Sequence, residues 1–235
     1  MHARLPSDAR ALASPLWPFD WSIVVAALAV VGVAIRAIWF TPIEARQGAA
    51  QKIFYVHPPS AFVGMYVGFG LMALASGVYL WLRDERADLF AESSGEVGLA
   101  FLTVALVTGP IWGKTVWGAW WTWDARLTST LFLWFLVAGY LVLRGAIEDP
   151  ELRARYSAVL ALLAVPLIAF IHVSVYFFRT LHPMPIVFKP SAPSLTPEMG
   201  QTFALAFVAM LLLYTALVRA RYQLALTRAH AEGVA

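Results

Sequence analysis

The chain has 235 residues, 60% of them hydrophobic and 13% charged, and its mean hydropathy is +0.70. A soluble domain keeps about a quarter of its residues charged to solvate its surface, so this composition excludes an ordinary soluble domain and points to a bilayer. There is no cysteine, which excludes disulfides, thiolate metal sites, thiol nucleophiles and thioether-linked cofactors. The formal charge of +3 comes from basic residues scattered between apolar stretches, and no dense patch suggests nucleic acid.

A bilayer-spanning helix needs roughly 20 mostly apolar residues, and the chain offers six such stretches in order: 21–40, 60–82, 97–112, 127–143, 157–178 and 202–218. The expected fold is all-α, a single polytopic membrane domain over 1–235 with six transmembrane helices. About twenty mixed residues precede the first stretch, unlike a cleavable signal, so that span is expected to be retained. Arg36 lies near one end of the first span; the other five contain no Lys, Arg, Asp or Glu. Pro166 is expected to kink the fifth.

With six spans the termini share a side. That side carries Arg4, Arg10, Arg83, Arg86, Arg144, Arg153, Arg155, Arg219, Arg221 and Arg228, against Arg46, Lys52, Lys114, Arg126, Arg179 and Lys189 on the other. The positive-inside bias therefore places both termini in the cytoplasm and the loops 41–59, 113–126 and 179–200 outside. The cytoplasmic connections are short and polar, so the chemistry is expected in the outer loops.

The most unusual of these begins at Trp112 and reads Trp-Gly-Lys-Thr-Val-Trp-Gly-Ala-Trp-Trp-Thr-Trp-Asp, ending at Asp124 and holding five of the ten tryptophans. On a helix, Trp117, Trp120, Trp121 and Asp124 recur at i, i+3, i+4 and i+7, which puts three indoles on one face. Two readings stand: an interfacial aromatic belt, or a shelf that stacks a large planar ligand such as a porphyrin, with Gly113 and Gly118 allowing close backbone approach.

His57, in Tyr-Val-His-Pro-Pro-Ser-Ala, and His182, in Arg-Thr-Leu-His-Pro-Met-Pro, fall on the same outer side. Pro58 and Pro59 are expected to keep His57 extended and to start the second span just after it. Imidazole is a natural axial ligand for haem iron, and two of them saturate the metal and discourage oxygen chemistry. His172, inside the fifth span, is read as an interhelical hydrogen-bonding group. Lys114 and Arg126 flank the Trp segment as candidate partners for haem propionates or lipid phosphates, whereas Asp124 and Arg126 could equally pair with each other or cap the next helix.

The run Trp117-Gly-Ala-Trp-Trp-Thr-Trp-Asp-Ala-Arg-Leu-Thr128 resembles the tryptophan-rich WWD signature of haem-handling membrane proteins, specifically the cytochrome c maturation protein C (CcmC) family. The resemblance extends to six spans, to the segment around His57, and to Thr-Leu-His at His182. It implies that His57 and His182 ligate haem iron and that Trp117 to Asp124, including Trp120, Trp121 and Trp123, forms a hydrophobic platform. It further implies non-covalent haem b as transported cargo, an inner-membrane location, an ATP-binding-cassette transporter and a small single-span subunit as partners, and a periplasmic haem chaperone as recipient in cytochrome c biogenesis. Familiar members have Trp-Trp-Asn-Thr-Leu-His-Gln where this chain has Phe177-Phe178-Arg179-Thr180-Leu181-His182-Pro183, a departure in the second histidine's loop. Two alternatives are a stand-alone permease, disfavoured by spans almost free of ionisable groups, and an enzyme such as a haem lyase, disfavoured by the absence of a buried acid–base pair.

Overall fold

The structure, a computed structural model, describes residues 20–184 and 195–232. Among these residues the chain is helical, with six helices long and apolar enough to cross a membrane: α1 (Trp21–Phe40), α2 (Ala49–Leu82), α3 (Glu85–Trp117), α4 (Ala125–Ala146), α5 (Pro150–Phe177) and α6 (Pro197–Glu232). Arg4, Arg10 and Lys189, used above for orientation, lie outside the described residues.

Aspartates start four of the helices. Asp20, Asp84, Asp124 and Asp149 each accept from backbone N–H groups of the first turn that have no partner within the helix. The ends are marked as clearly: α2 stops at Arg83 and α3 at Gly118, both left-handed, at φ +57° and +76°. Pro166 falls inside α5, which continues past it to Phe177.

Several helices overrun the expected apolar stretches. α3 has 33 residues and α6 has 36, about 50 and 54 Å at 1.5 Å per residue against a hydrocarbon core of about 30 Å. The overruns carry charge that hydropathy excludes from a span, and they are held by pairing with one another. Arg144 of α4 grips Asp88 and Glu92 of α3, Arg221 of α6 donates to Glu96 of α3, and Phe90 packs edge-on against Tyr222. Arg219 lies 3.5 Å from Asp20 at the start of α1. These pairs gather the start of α1, the start of α3 and the end of α6 on one face, the terminus side; the starts of α2, α4 and α6 form the opposite, site-side face.

The core is centred on α3. Its Ala91, Leu102 and Ala105 meet Met65, Phe69 and Met72 of α2, Leu133, Val137 and Tyr140 of α4, and Ala161, Ala164 and Ile171 of α5. α2 and α3 approach to backbone distance at glycines: a Cβ on Gly64 would lie 2.7 Å from the Gly98 carbonyl, and one on Gly68 2.8 Å from Gly98 Cα. Small residues four apart let helices pack closely where lipid supplies no hydrophobic drive. α1 sits outside this core, packed chiefly on α6.

Candidate functional site

The site-side face brings together the starts of α2 and α4 and the ends of α3 and α5. α2 opens with a 3₁₀ turn over Ala49–Tyr55, and His57 begins its α-helical part. The expectation of an extended His57 is therefore corrected. Prolines in a first helical turn have no N–H to leave unpaired and a φ already suited to the helix, so Pro58 and Pro59 fix His57 at the helix start.

The His57 ring is wedged against α3. Its Nδ1 lies 3.0 Å from the Ala105 carbonyl and 3.2 Å from Thr108 Oγ1. A carbonyl can only accept, so Nδ1 carries the proton and Nε2 keeps its lone pair. A Cβ at Gly109 would stand 3.0 Å from His57 Cε1, so glycine is what lets the ring approach α3. Trp112, one turn further along, packs edge-on at 5.8 Å between ring centroids, and its indole N–H donates to Gln47 Oε1 at 2.9 Å. Gly109, Trp112 and Gln47 were not among the expected site residues; the signal for the first two was a Gly-Pro pair interrupting an apolar span, with a tryptophan three residues on.

His182 is held by its own loop. Its amide donates to Thr180 Oγ1 at 3.0 Å, and its Nδ1–H donates to the Pro183 carbonyl at 3.0 Å. Nε2 is again the nitrogen with the free lone pair. Partial burial, with the Arg126 guanidinium nearby, pushes the His182 imidazole down to about 4, so it is neutral at physiological pH, as a metal ligand must be. Arg126 and His57 are both close enough to bear on the His182 imidazole. Trp117 lies 6.5 Å from the His182 ring.

The Trp segment departs from expectation. α3 ends at Trp117, and 118–124 form an irregular loop leading to α4. Gly118, at φ +76° with open space around it, terminates the helix before Trp120 and Trp121, so Trp117, Trp120 and Trp121 do not share a helical face. Gly113 packs closely on the chain itself, where a Cβ would meet the Trp117 ring at 3.2 Å and the returning Ala119 carbonyl at 3.3 Å. Within the loop, Trp121 and Trp123 pack edge-to-face at 5.8 Å. Trp120 and Trp123 are 59% and 77% exposed, leaving indole surface uncovered.

Of the flanking charges, Asp124 has a structural part. Oδ1 accepts from the amides of Arg126 and Leu127, and Oδ2 accepts from Thr122 Oγ1. Lys114 Nζ donates to the Gly118 carbonyl at the end of α3. Arg126 differs: among the described residues its guanidinium donates no hydrogen bond and has no carboxylate within 4 Å, though it feels Tyr66, Asp124 and Tyr176. His172 makes the interhelical contact expected of it, with Nδ1 3.0 Å from Tyr66 OH.

The model of the CcmC family, heme exporter protein C, matches residues 2–234 of this chain. The chain is 36% identical to heme exporter protein C of Haemophilus influenzae, over 93% of its own length and 87% of that protein. It is 34% identical to the heme exporter protein C of Bradyrhizobium diazoefficiens, over 91% and 79%, and 38% identical to that of Escherichia coli K12, over 71% and 67%.

Proposed function

The chain belongs to the heme exporter protein C family, and from that premise we propose that it binds haem on its site-side face between His57 and His182 and hands it to a periplasmic haem chaperone. It is a haem-handling, multi-pass membrane subunit of a haem export system, with a transport-type role and not a catalytic one.

The observation that carries the proposal is the matched state of the two imidazoles. Each donates its Nδ1–H to a backbone carbonyl, which fixes the tautomer and leaves the Nε2 lone pair free, the arrangement seen in histidines that ligate metals. Haem iron takes such nitrogens axially, and two of them leave no position for oxygen. The Arg126 guanidinium, which makes no hydrogen bond among the described residues, supplies paired donors for a propionate. Lys114, on the rim, adds a second positive charge.

The exposed faces of Trp120 and Trp123, with Trp117 and Trp121, supply apolar surface for the porphyrin, while Asp124 holds the loop against the start of α4. Haem b held without a covalent bond can leave by ligand exchange. His182, hydrogen-bonded among the described residues within its own loop, is the ligand that gives way first to the chaperone. The terminus side, rich in arginine, faces the cytoplasm and the site faces the periplasm. An ATP-binding-cassette transporter and a small single-span subunit complete the inner-membrane complex.

The test is the absorption spectrum of detergent-purified protein after haem addition, for wild type and the His57→Ala, His182→Ala double variant. A Soret band in wild type alone is expected. Equal bands in both proteins sink the ligand assignment.

A further inference from the structure

α1 is the least embedded helix: Val25, Leu28, Val31 and Ile35 are all about half exposed or more. Where it crosses α6 it leaves a groove of about 280 Å³ open to the bilayer, lined by Gly32, Val33 and Arg36 of α1 and by Leu205, Ala209 and Leu212 of α6. The lining is apolar except at one end. Arg36 stands there, its Nε donating to Thr202 Oγ1 at 3.1 Å and one terminal nitrogen to Gln201 Oε1 at 3.2 Å.

A guanidinium has five N–H donors, and these two bonds leave three. Among the described residues no carboxylate lies within 4 Å of it. Charge within a span is costly, and it faces a cavity or pairs with something. Arg36 is four residues short of the end of α1 at Phe40, about 6 Å along the axis, so its head reaches the phosphate layer. From Ala29 to Arg36 the groove runs along α1 for about 10 Å, much of the depth of one leaflet, about 15 Å.

We propose that this groove binds an anionic glycerophospholipid of the site-side leaflet, one acyl chain lying against Gly32 and the α6 leucines and the phosphate on Arg36. Thr202 and Gln201 orient the guanidinium so that its remaining donors meet the phosphate oxygens. Gly32 opens onto the groove, where a Cβ would meet nothing within 4 Å, so a longer side chain there enters the space where the acyl chain lies. The lipid then fills the seam that joins α1 to the rest of the bundle.

Native mass spectrometry of the detergent-purified full chain, titrated with phosphatidylglycerol and separately with phosphatidylethanolamine, tests this. Wild type is expected to retain phosphatidylglycerol about 5-fold more strongly, the worth of one basic residue at an anionic lipid surface. Arg36→Gln should erase the preference and Arg36→Lys should keep much of it, while Gly32→Leu should reduce retention of both lipids. Circular dichroism checks that each variant is folded. No preference in wild type, or a preference that survives Arg36→Gln, overturns the proposal. If Arg36→Gln does not fold, undiminished phosphatidylglycerol retention by folded Gly32→Leu overturns it equally, and a polypeptide found seated on this face in place of lipid does so too.

Discussion

Helix α4 carries an arginine near each end, and the two are treated in opposite ways. Arg144, on the terminus side, is 5% exposed; it meets Asp88 through two parallel bonds at 2.7 and 2.8 Å and Glu92 at 2.9 Å, with its guanidinium 5.7 Å from the Tyr140 ring centre. Arg126, 18 residues earlier and so about 27 Å away, stands beside two histidines with no hydrogen bond to its guanidinium among the described residues. The first is consumed by the fold. Among the described residues the second has no carboxylate within 4 Å, which suits the proposed contact with a haem propionate.

The largest expected effect concerns Arg144. Arg144→Ala leaves Asp88 and Glu92 without their cation and should cost about 3–5 kcal/mol, read as a large fall in the thermal unfolding midpoint in detergent. Replacing Arg144, Asp88 and Glu92 together by apolar residues of similar volume should recover most of that loss. If the triple replacement is as unstable as the single one, the ion cluster does more than satisfy itself.

Arg126→Gln should leave the unfolding midpoint nearly unchanged while weakening haem binding roughly 10-fold or more, the worth of charge-assisted hydrogen bonds to a propionate. A haem titration followed at the Soret band measures this. A large fall in stability with unaltered haem affinity would reverse the contrast between the two arginines.

Smaller effects belong to the surroundings. Trp120→Ala with Trp121→Ala should weaken haem affinity and transfer to the chaperone several-fold, at about 1 kcal/mol per lost aromatic contact, with membrane insertion unchanged. Normal transfer by that pair favours a purely interfacial belt. Gly109→Ala should lower haem affinity a few-fold by pushing His57 off the Ala105 carbonyl, and a shifted Soret maximum separates this from simple destabilisation.

Much of this was legible in the sequence because lipid imposes simple rules. An apolar run of about 20 residues crosses lipid as a helix, so six spans and the shared side of His57 and His182 follow from spacing alone. Helix ends were less legible: α3 and α6 continue through Glu92, Glu96 and Arg221 because those charges find partners on neighbouring helices, which hydropathy does not see. The Trp segment misled for a local reason. Its i, i+3, i+4 spacing suits a helix, yet one glycine in the left-handed region ends α3 before the pattern can matter. What fixes the His57 tautomer was beyond reach, since Ala105, Thr108 and Gly109 meet that ring only through the packing of α2 on α3.

The most direct test of the account is the coordination state of ferric haem in the purified protein, read by resonance Raman or electron paramagnetic resonance for wild type, His57→Ala and His182→Ala. Six-coordinate low-spin haem is expected in wild type and is lost in each single variant, with affinity falling by at least the ~10–100-fold that loss of an outer-shell partner costs a metal site. An unchanged six-coordinate low-spin spectrum in both variants would contradict it and move the haem ligands elsewhere in the chain.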